Sequence, residues 1–236
     1  MTELVEHFNR QLQSDQNRAL KGIEPESTTA SILKDLYPLL RGPLYPKGKG
    51  RDVAGRLDEC IEKGSPVNLF VVLVAQTAQA ELSYLTRAVE AIKKPGVTVV
   101  TTVILADWPR IVKAPAVPSI SDIESITKLI DRAGLGEIKR VSREAADTYT
   151  PDEKLRRWLL KFYERQESMA DIDRVLGFQV DEDLAMRQKV GRIISKASAG
   201  GFTLGLTTEL NPQLLRLYGK DIFLANINVR GEIPSI

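Results

Sequence analysis

The chain has 236 residues, 43% of them apolar and 27% charged, and its 33 basic and 31 acidic side chains leave a net charge of +2. That length and apolar content suit one substantial core, and the near balance of charge excludes a bulk electrostatic pull toward nucleic acid or an anionic membrane. A single histidine (His7) and a single cysteine (Cys60) exclude an intramolecular disulfide, histidine- and cysteine-rich zinc or iron centres, and a Ser-His-Asp or Cys-His device built around any base but His7.

Catalysis therefore falls to carboxylates, Lys, Arg, Tyr, Ser or Thr. The N-terminal stretch has no apolar signal segment. The longest apolar run, 67–75, is interrupted by Asn68 and is far short of the roughly 20 residues that cross a bilayer. The expectation is a cytoplasmic protein without a membrane partner.

In chain order, residues 1–27 are polar with a weak helical pattern (Leu4, Phe8, Leu12) and read as a mobile N-terminal segment. Residues 28–236 read as a single α/β domain. Ser27 caps a helix over 30–40, with Ile32, Leu33, Leu36, Leu39 and Leu40 on one face and Pro38 tightening its end. The stretch from Lys47 to Arg51 lacks the glycine spacing and the Lys-Ser/Thr of a phosphate loop and follows no strand. It reads as a solvated loop, with a lid that touches an anion as the alternative.

A helix over 53–63 carries Val53, Leu57, Cys60 and Ile61 on one side and stops at Gly64. Cys60 then belongs to the core. The nearly continuous apolar run 67–74 predicts a strand buried on both faces, as in a parallel sheet. A helix over 80–93 and a second buried strand over 97–105 complete a strand–helix–strand unit. Beyond a proline-spotted loop, Ser121 caps a helix that Gly134 ends, and 138–141 forms a third short strand. Thr150-Pro151 opens a helix carrying Leu155, Trp158, Leu159, Phe162 and Tyr163. Asp181 begins another, which Gly200-Gly201 closes. Late strands are expected over 214–217 and 222–229. The fold class is α/β: a Rossmann-like, mostly parallel central sheet flanked by helices.

Ligands of open parallel sheets gather beyond the carboxyl ends of the strands. The first such end carries Gln76 and Thr77 on the way into a helix, whose backbone N–H groups suit an anion or carboxylate. The alternative is an ordinary polar, self-capping loop. No G-x-G-x-x-G stands there, so no cofactor is expected. The second end is Asp107-Trp108-Pro109-Arg110. Asp107 suits a substrate amine or general-base work, Trp108 an apolar pocket wall, and Arg110 a bidentate grip on a carboxylate or phosphate. The competing reading has Asp107 capping the turn and Trp108 packing beneath it.

The linear order resembles the isocyanide (isonitrile) synthase family, which includes the pyoverdine and dityrosine biosynthesis proteins. The resemblance rests on Ile32–Leu36, on the stretch from Leu57 to Val67, on Pro95-Gly96-Val97-Thr98-Val99 with Asp107, and on Pro212-Gln213-Leu214-Leu215-Arg216-Leu217. It implies an amino-acid-modifying biosynthetic enzyme of secondary metabolism, with Asp107 and Arg216 as the positions that carry over. Ala75–Gln79 stands where that family has a proline-rich segment with a lysine, and Tyr218 follows where it has a histidine. The same order is similar to tRNA-dependent cyclodipeptide synthases, whose nucleophile position falls near Gln76-Thr77. The balanced charge argues against nucleic acid as a partner.

The combined expectation is a small-molecule biosynthetic enzyme acting on an amino acid, a sugar phosphate or a related amine-carboxylate, with a transferase like the tRNA-dependent cyclodipeptide synthases as one alternative. Asp107 and Thr77 would be catalytic, and Gln76, Trp108, Arg110 and Arg216 substrate-binding. The other alternative is a non-catalytic ligand-binding or assembly protein on the same fold. Oligomeric state is not legible in these residues.

Overall fold

The computed structural model describes residues 2–40, 53–74, 78–106, 120–141, 157, 160–161, 167–176, 180–197, 202–207 and 222–227. β1 spans Val67–Val74, β2 Val99–Ala106, β3 Glu137–Val141, β4 Phe202–Thr207 and β5 Phe223–Asn226. The two central strands that come first in the chain are runs of apolar and β-branched residues, whereas the edge strand β3 is mostly charged. They form one sheet in the order β3-β2-β1-β4-β5, and all four neighbouring pairs are parallel. The protein is thus α/β with a Rossmann-like parallel sheet.

Register assigns the faces. Val67, Leu69, Val71 and Leu73 of β1 lie opposite Val99, Thr101, Val103 and Leu105 of β2, and the first three also lie opposite Phe202, Leu204 and Leu206 of β4. This row joins one apolar cluster with α2 (Thr28–Leu36), α3 (Val53–Glu62), α4 (Ala78–Ile92) and α5 (Ile120–Arg132). Phe202 and Phe223 stack there at 5.2 Å between centroids, and the Arg56 guanidinium lies 5.7 Å from the Phe223 ring. The opposite face is buried too, through Phe70, Val72, Ile104, Val141 and Leu224. On that side α6 (Met169–Leu176) and α7 (Val180–Ala197) contribute the buried Ile172, Leu184, Val190 and Ile194, which stand apart from the first cluster, and α7 packs against β3. The crossovers through α4 and α5 run one way along the sheet and put their helices on one face. The return from β3 to β4 runs the other way, as crossovers of constant hand require for a helix on the other face.

The caps explain the boundaries. Ser27 Oγ accepts the Ala30 N–H at 3.1 Å and starts α2. Pro38 has no N–H to continue the ladder, so the helix expected over 30–40 ends at Leu36 and tightens into a 3₁₀ turn over Tyr37–Leu39. Gly64 and Gly134 follow α3 and α5 with φ of 62° and 61°, the left-handed conformation that ends a helix. Thr29 Oγ1 donates to Asp58 Oδ1 at 2.7 Å and ties α2 to α3, while Lys94 pairs with Asp35 across α4 and α2. Buried Cys60 donates its thiol to the Ser65 and Pro66 carbonyls at 3.3 and 3.5 Å, which fits the packing role read from its helix face.

The N-terminal stretch holds α1 (Thr2–Ala19), and Leu12, Ala19, Leu20 and Ile23 pack on the apolar cluster. Two elements were not anticipated, β4 and α6. Among the described residues no helix is long and apolar enough to cross a membrane. The loop from Lys47 to Arg51, most of the helix expected after Pro151, and the strand expected over 214–217 lie outside the described residues.

Candidate functional site at the switch point of the sheet

The strand order makes β1 the point of divergence. After β1 the chain builds outward through β2 to β3, and it then returns to add β4 and β5 on the other side. The crevice beyond the carboxyl ends of β1 and β4 is the topological switch point, where open α/β sheets bind ligands because the two outgoing connections part and leave backbone groups uncovered.

Three strand ends meet there. Val74 lies opposite Ala106, so β1 and β2 finish level. Thr207 lies opposite Val72, so β4 stops two residues lower. The Thr207 carbonyl is occupied by the Ile227 N–H at 2.8 Å, and Ile227 forms an antiparallel bridge with Leu40. The chain therefore leaves β1 toward Gln76 and Thr77, and leaves β2 toward Asp107, Trp108 and Arg110, from adjacent positions on one edge of the sheet. Those five residues and Arg216 lie outside the described residues. The backbone on which the first five depend runs as the two buried β-segments predict.

A further residue at this edge was missed from the sequence. α4 starts four positions after Val74, and its first turn contains Glu81. Glu81 shares a helical stripe with Leu85, Ala88, Val89 and Ile92, at spacings of four, seven, eight and eleven, and those four are fully buried. Glu81 itself is only 5% exposed, and its Oε2 has no hydrogen-bond partner. α4 packs against β1 and β4, the two strands of the switch point. The legible signal was a carboxylate standing on an otherwise apolar stripe.

Outside this edge the described residues hold little that is reactive. His7 is exposed on α1. No group of three or more His, Cys, Asp or Glu among the described residues is placed to hold a metal ion.

Fold and switch-point crevice together define a doubly wound α/β protein. No family model matches the chain, and no curated protein matches it. Among solved structures it is similar to the PvcA protein from Pseudomonas aeruginosa, at 15% identity and a TM-score of 0.47, over 86% of this chain and 84% of that one. It is also similar to a tryptophanyl-tRNA synthetase homolog from Entamoeba histolytica, at 11% identity and a TM-score of 0.40, over 90% of this chain and 62% of that one. These are remote likenesses of fold and carry no argument about activity.

Proposed function

We propose that the chain is a small-molecule biosynthetic enzyme acting on an amino acid or a related amine-carboxylate. The observation that carries the reading is the level finish of β1 and β2, Val74 opposite Ala106, beside the switch point. It sends the segments bearing Gln76-Thr77 and Asp107-Trp108-Arg110 out from adjacent strands. In this reading Asp107 engages the amine or accepts a proton. Arg110 and Arg216 grip a carboxylate or phosphate, for which a guanidinium's planar fork is suited. Gln76 and Thr77 orient the reacting group, and Trp108 walls the pocket. The resemblance of Asp107 and Arg216 to positions of the isocyanide synthases supports the same two anchors.

A second reading, a ligand-binding or assembly protein without catalysis, is favoured by the lone histidine and by the lack of a complete catalytic motif in the sequence.

The test is a mass spectrum of small molecules retained on gentle purification, followed by thermal-shift screening of amino acids, pentose phosphates and nucleotides. An amino acid or similar amine-carboxylate is expected to raise Tm, and Asp107→Asn and Arg216→Ala to remove any turnover of it. Turnover that survives both substitutions overturns the site assignment. A bound amine-carboxylate that no condition converts favours the second reading.

A further inference from the structure

We infer that α1 is a detachable clasp whose docking on the 3₁₀ turn over Tyr37–Leu39 secures, through the Leu40–Ile227 bridge, the carboxyl end of β4. The inference goes beyond the functional reading and does not depend on which ligand, if any, that edge of the sheet takes.

The first observation is a short relay of backbone contacts. α1 packs on α2 and on the 3₁₀ turn. Tyr37 opens that turn, and its carbonyl accepts the Leu40 N–H at 3.0 Å. Leu40 bridges Ile227, and the Ile227 N–H donates to the Thr207 carbonyl at 2.8 Å. Thr207 is the last residue of β4. The Leu40–Ile227 pairing is an isolated bridge outside the named strands, so no ladder of its own holds it and it depends on what packs around Leu40. Tyr37, Leu40 and Ile227 belong to one apolar cluster and are at most 5% exposed. Close packing transmits displacement, and a shift of the 3₁₀ turn therefore reaches the end of β4.

The second observation is how lightly α1 is held. Toward the body it turns one stripe, Leu12, Asp15, Gln16 and Ala19, while Gln13, Ser14, Asn17 and Arg18 are exposed. Leu12 and Ala19 are only half-buried against the cluster, and the buried member of the stripe is an acid. Asp15 pairs with Arg18 of its own helix, and its Oδ2 accepts no hydrogen bond, so the carboxylate adds no tie to the body. Both charges act on the Tyr37 hydroxyl, Asp15 pushing its pKa up and Arg18 opposing, which places this part of α1 over the turn. Elements with few buried apolar contacts open at a lower free energy than the whole fold. α1 comes away while the sheet stays intact, and the bridge loosens with it.

The experiment follows backbone amide hydrogen exchange by NMR on the full chain. Wild type is compared with Leu12→Asp, which charges the contact stripe, and with Ser14→Asp, which adds the same charge on the exposed side. L12D should speed exchange roughly tenfold or more at Gln13 through Ala19, at Leu40 and at Ile227, and leave Leu69 through Leu73 of β1 at wild-type rates. S14D should behave as wild type. Faster exchange in α1 with Leu40 and Ile227 unchanged overturns the relay. Equal acceleration of β1, equal acceleration in S14D, or no acceleration of α1 in L12D overturns the clasp. If L12D does not fold, wild type in low urea decides: α1, Leu40 and Ile227 should open together at less urea than β1, and opening of Leu40 and Ile227 only with β1 overturns the inference. Each of these outcomes leaves the amine-carboxylate reading standing.

Discussion

Gly136 offers a sharp test of how β3 is seated against β2. It precedes β3 directly, and its φ is 115°. A Cβ added there would stand 2.2 Å from the Thr101 carbonyl oxygen, 2.9 Å from its carbon and 3.1 Å from the Thr101 Cβ. Those are mostly backbone atoms of a paired strand, so no side-chain rotation relieves the contact. Gly136→Ala therefore carries two costs. The backbone conformation costs an alanine about 1–3 kcal/mol, and moving β3 off β2 adds about 1–3 kcal/mol of overpacking. The sum, roughly 2–6 kcal/mol, is a large part of a domain's usual 5–15. With a urea m-value near the upper end of its ordinary range, the unfolding midpoint should fall by roughly 1–2 M. Gly134→Ala is the control. Gly134 has φ of 61° but nothing within 4 Å of the added Cβ, so it should cost only about 1–2 kcal/mol. Urea titrations followed by circular dichroism compare the two. Equal midpoints for the two variants would refute the close approach of residue 136 to the Thr101 backbone.

Three other outcomes follow from buried polar groups. Burial, with Asp15 adding to it and Arg18 opposing it, pushes the Tyr37 hydroxyl up to about 12 from an ordinary 10. The unfolded chain loses this proton first, so stability is intact below pH 10 and falls by about 2–3 kcal/mol as pH rises to 12. Tyr37→Phe should flatten that part of a pH series of urea midpoints, and an unchanged slope would contradict it. Thr29→Val strips the Asp58 carboxylate of a 2.7 Å hydrogen bond and should cost about 1.5–3 kcal/mol in the same assay, with Thr29→Ser restoring most of it. Cys60 is buried with its thiol turned to two backbone carbonyls, so its labelling by a thiol reagent should run at the rate of unfolding. Rapid labelling of the native protein would place Cys60 on the surface.

The sequence carried the half of the sheet that is made of nearly continuous apolar runs. β1 occupies the residues read for it, since a strand buried on both faces needs apolar groups throughout. β2 and α4 differ from their expected bounds by one or two residues. β4 was not legible. Its run, Phe-Thr-Leu-Gly-Leu-Thr, holds two threonines and a glycine on one face, which weakens any apolar pattern, and it directly follows Gly200-Gly201. The structure supplies the reason for the glycine: a Cβ on Gly205 would lie 2.4 Å from the Leu224 side chain that covers it from β5. Only the neighbouring strand crowds that position, so no local pattern announces it. The strand order, and with it the switch point, depends on placing β4 beside β1 and was equally out of reach. At the candidate site, the strand ends leading to Gln76 and Asp107 were legible as polar steps after apolar runs. Glu81 was passed over because a lone acid in a first helical turn is ordinary near the dipole, and its burial follows from α4 lying across both β1 and β4.

The central claim, that ligand enters where β1 and β4 part, is tested most directly by titrating isotope-labelled protein with a free amino acid that raises its Tm and following the backbone amides by NMR. The largest shifts should fall on Val74, on Ala78 through Leu82, and on Thr207. Shifts gathered instead at the amino ends of the strands, around Val67, Val99 and Phe202, would contradict it.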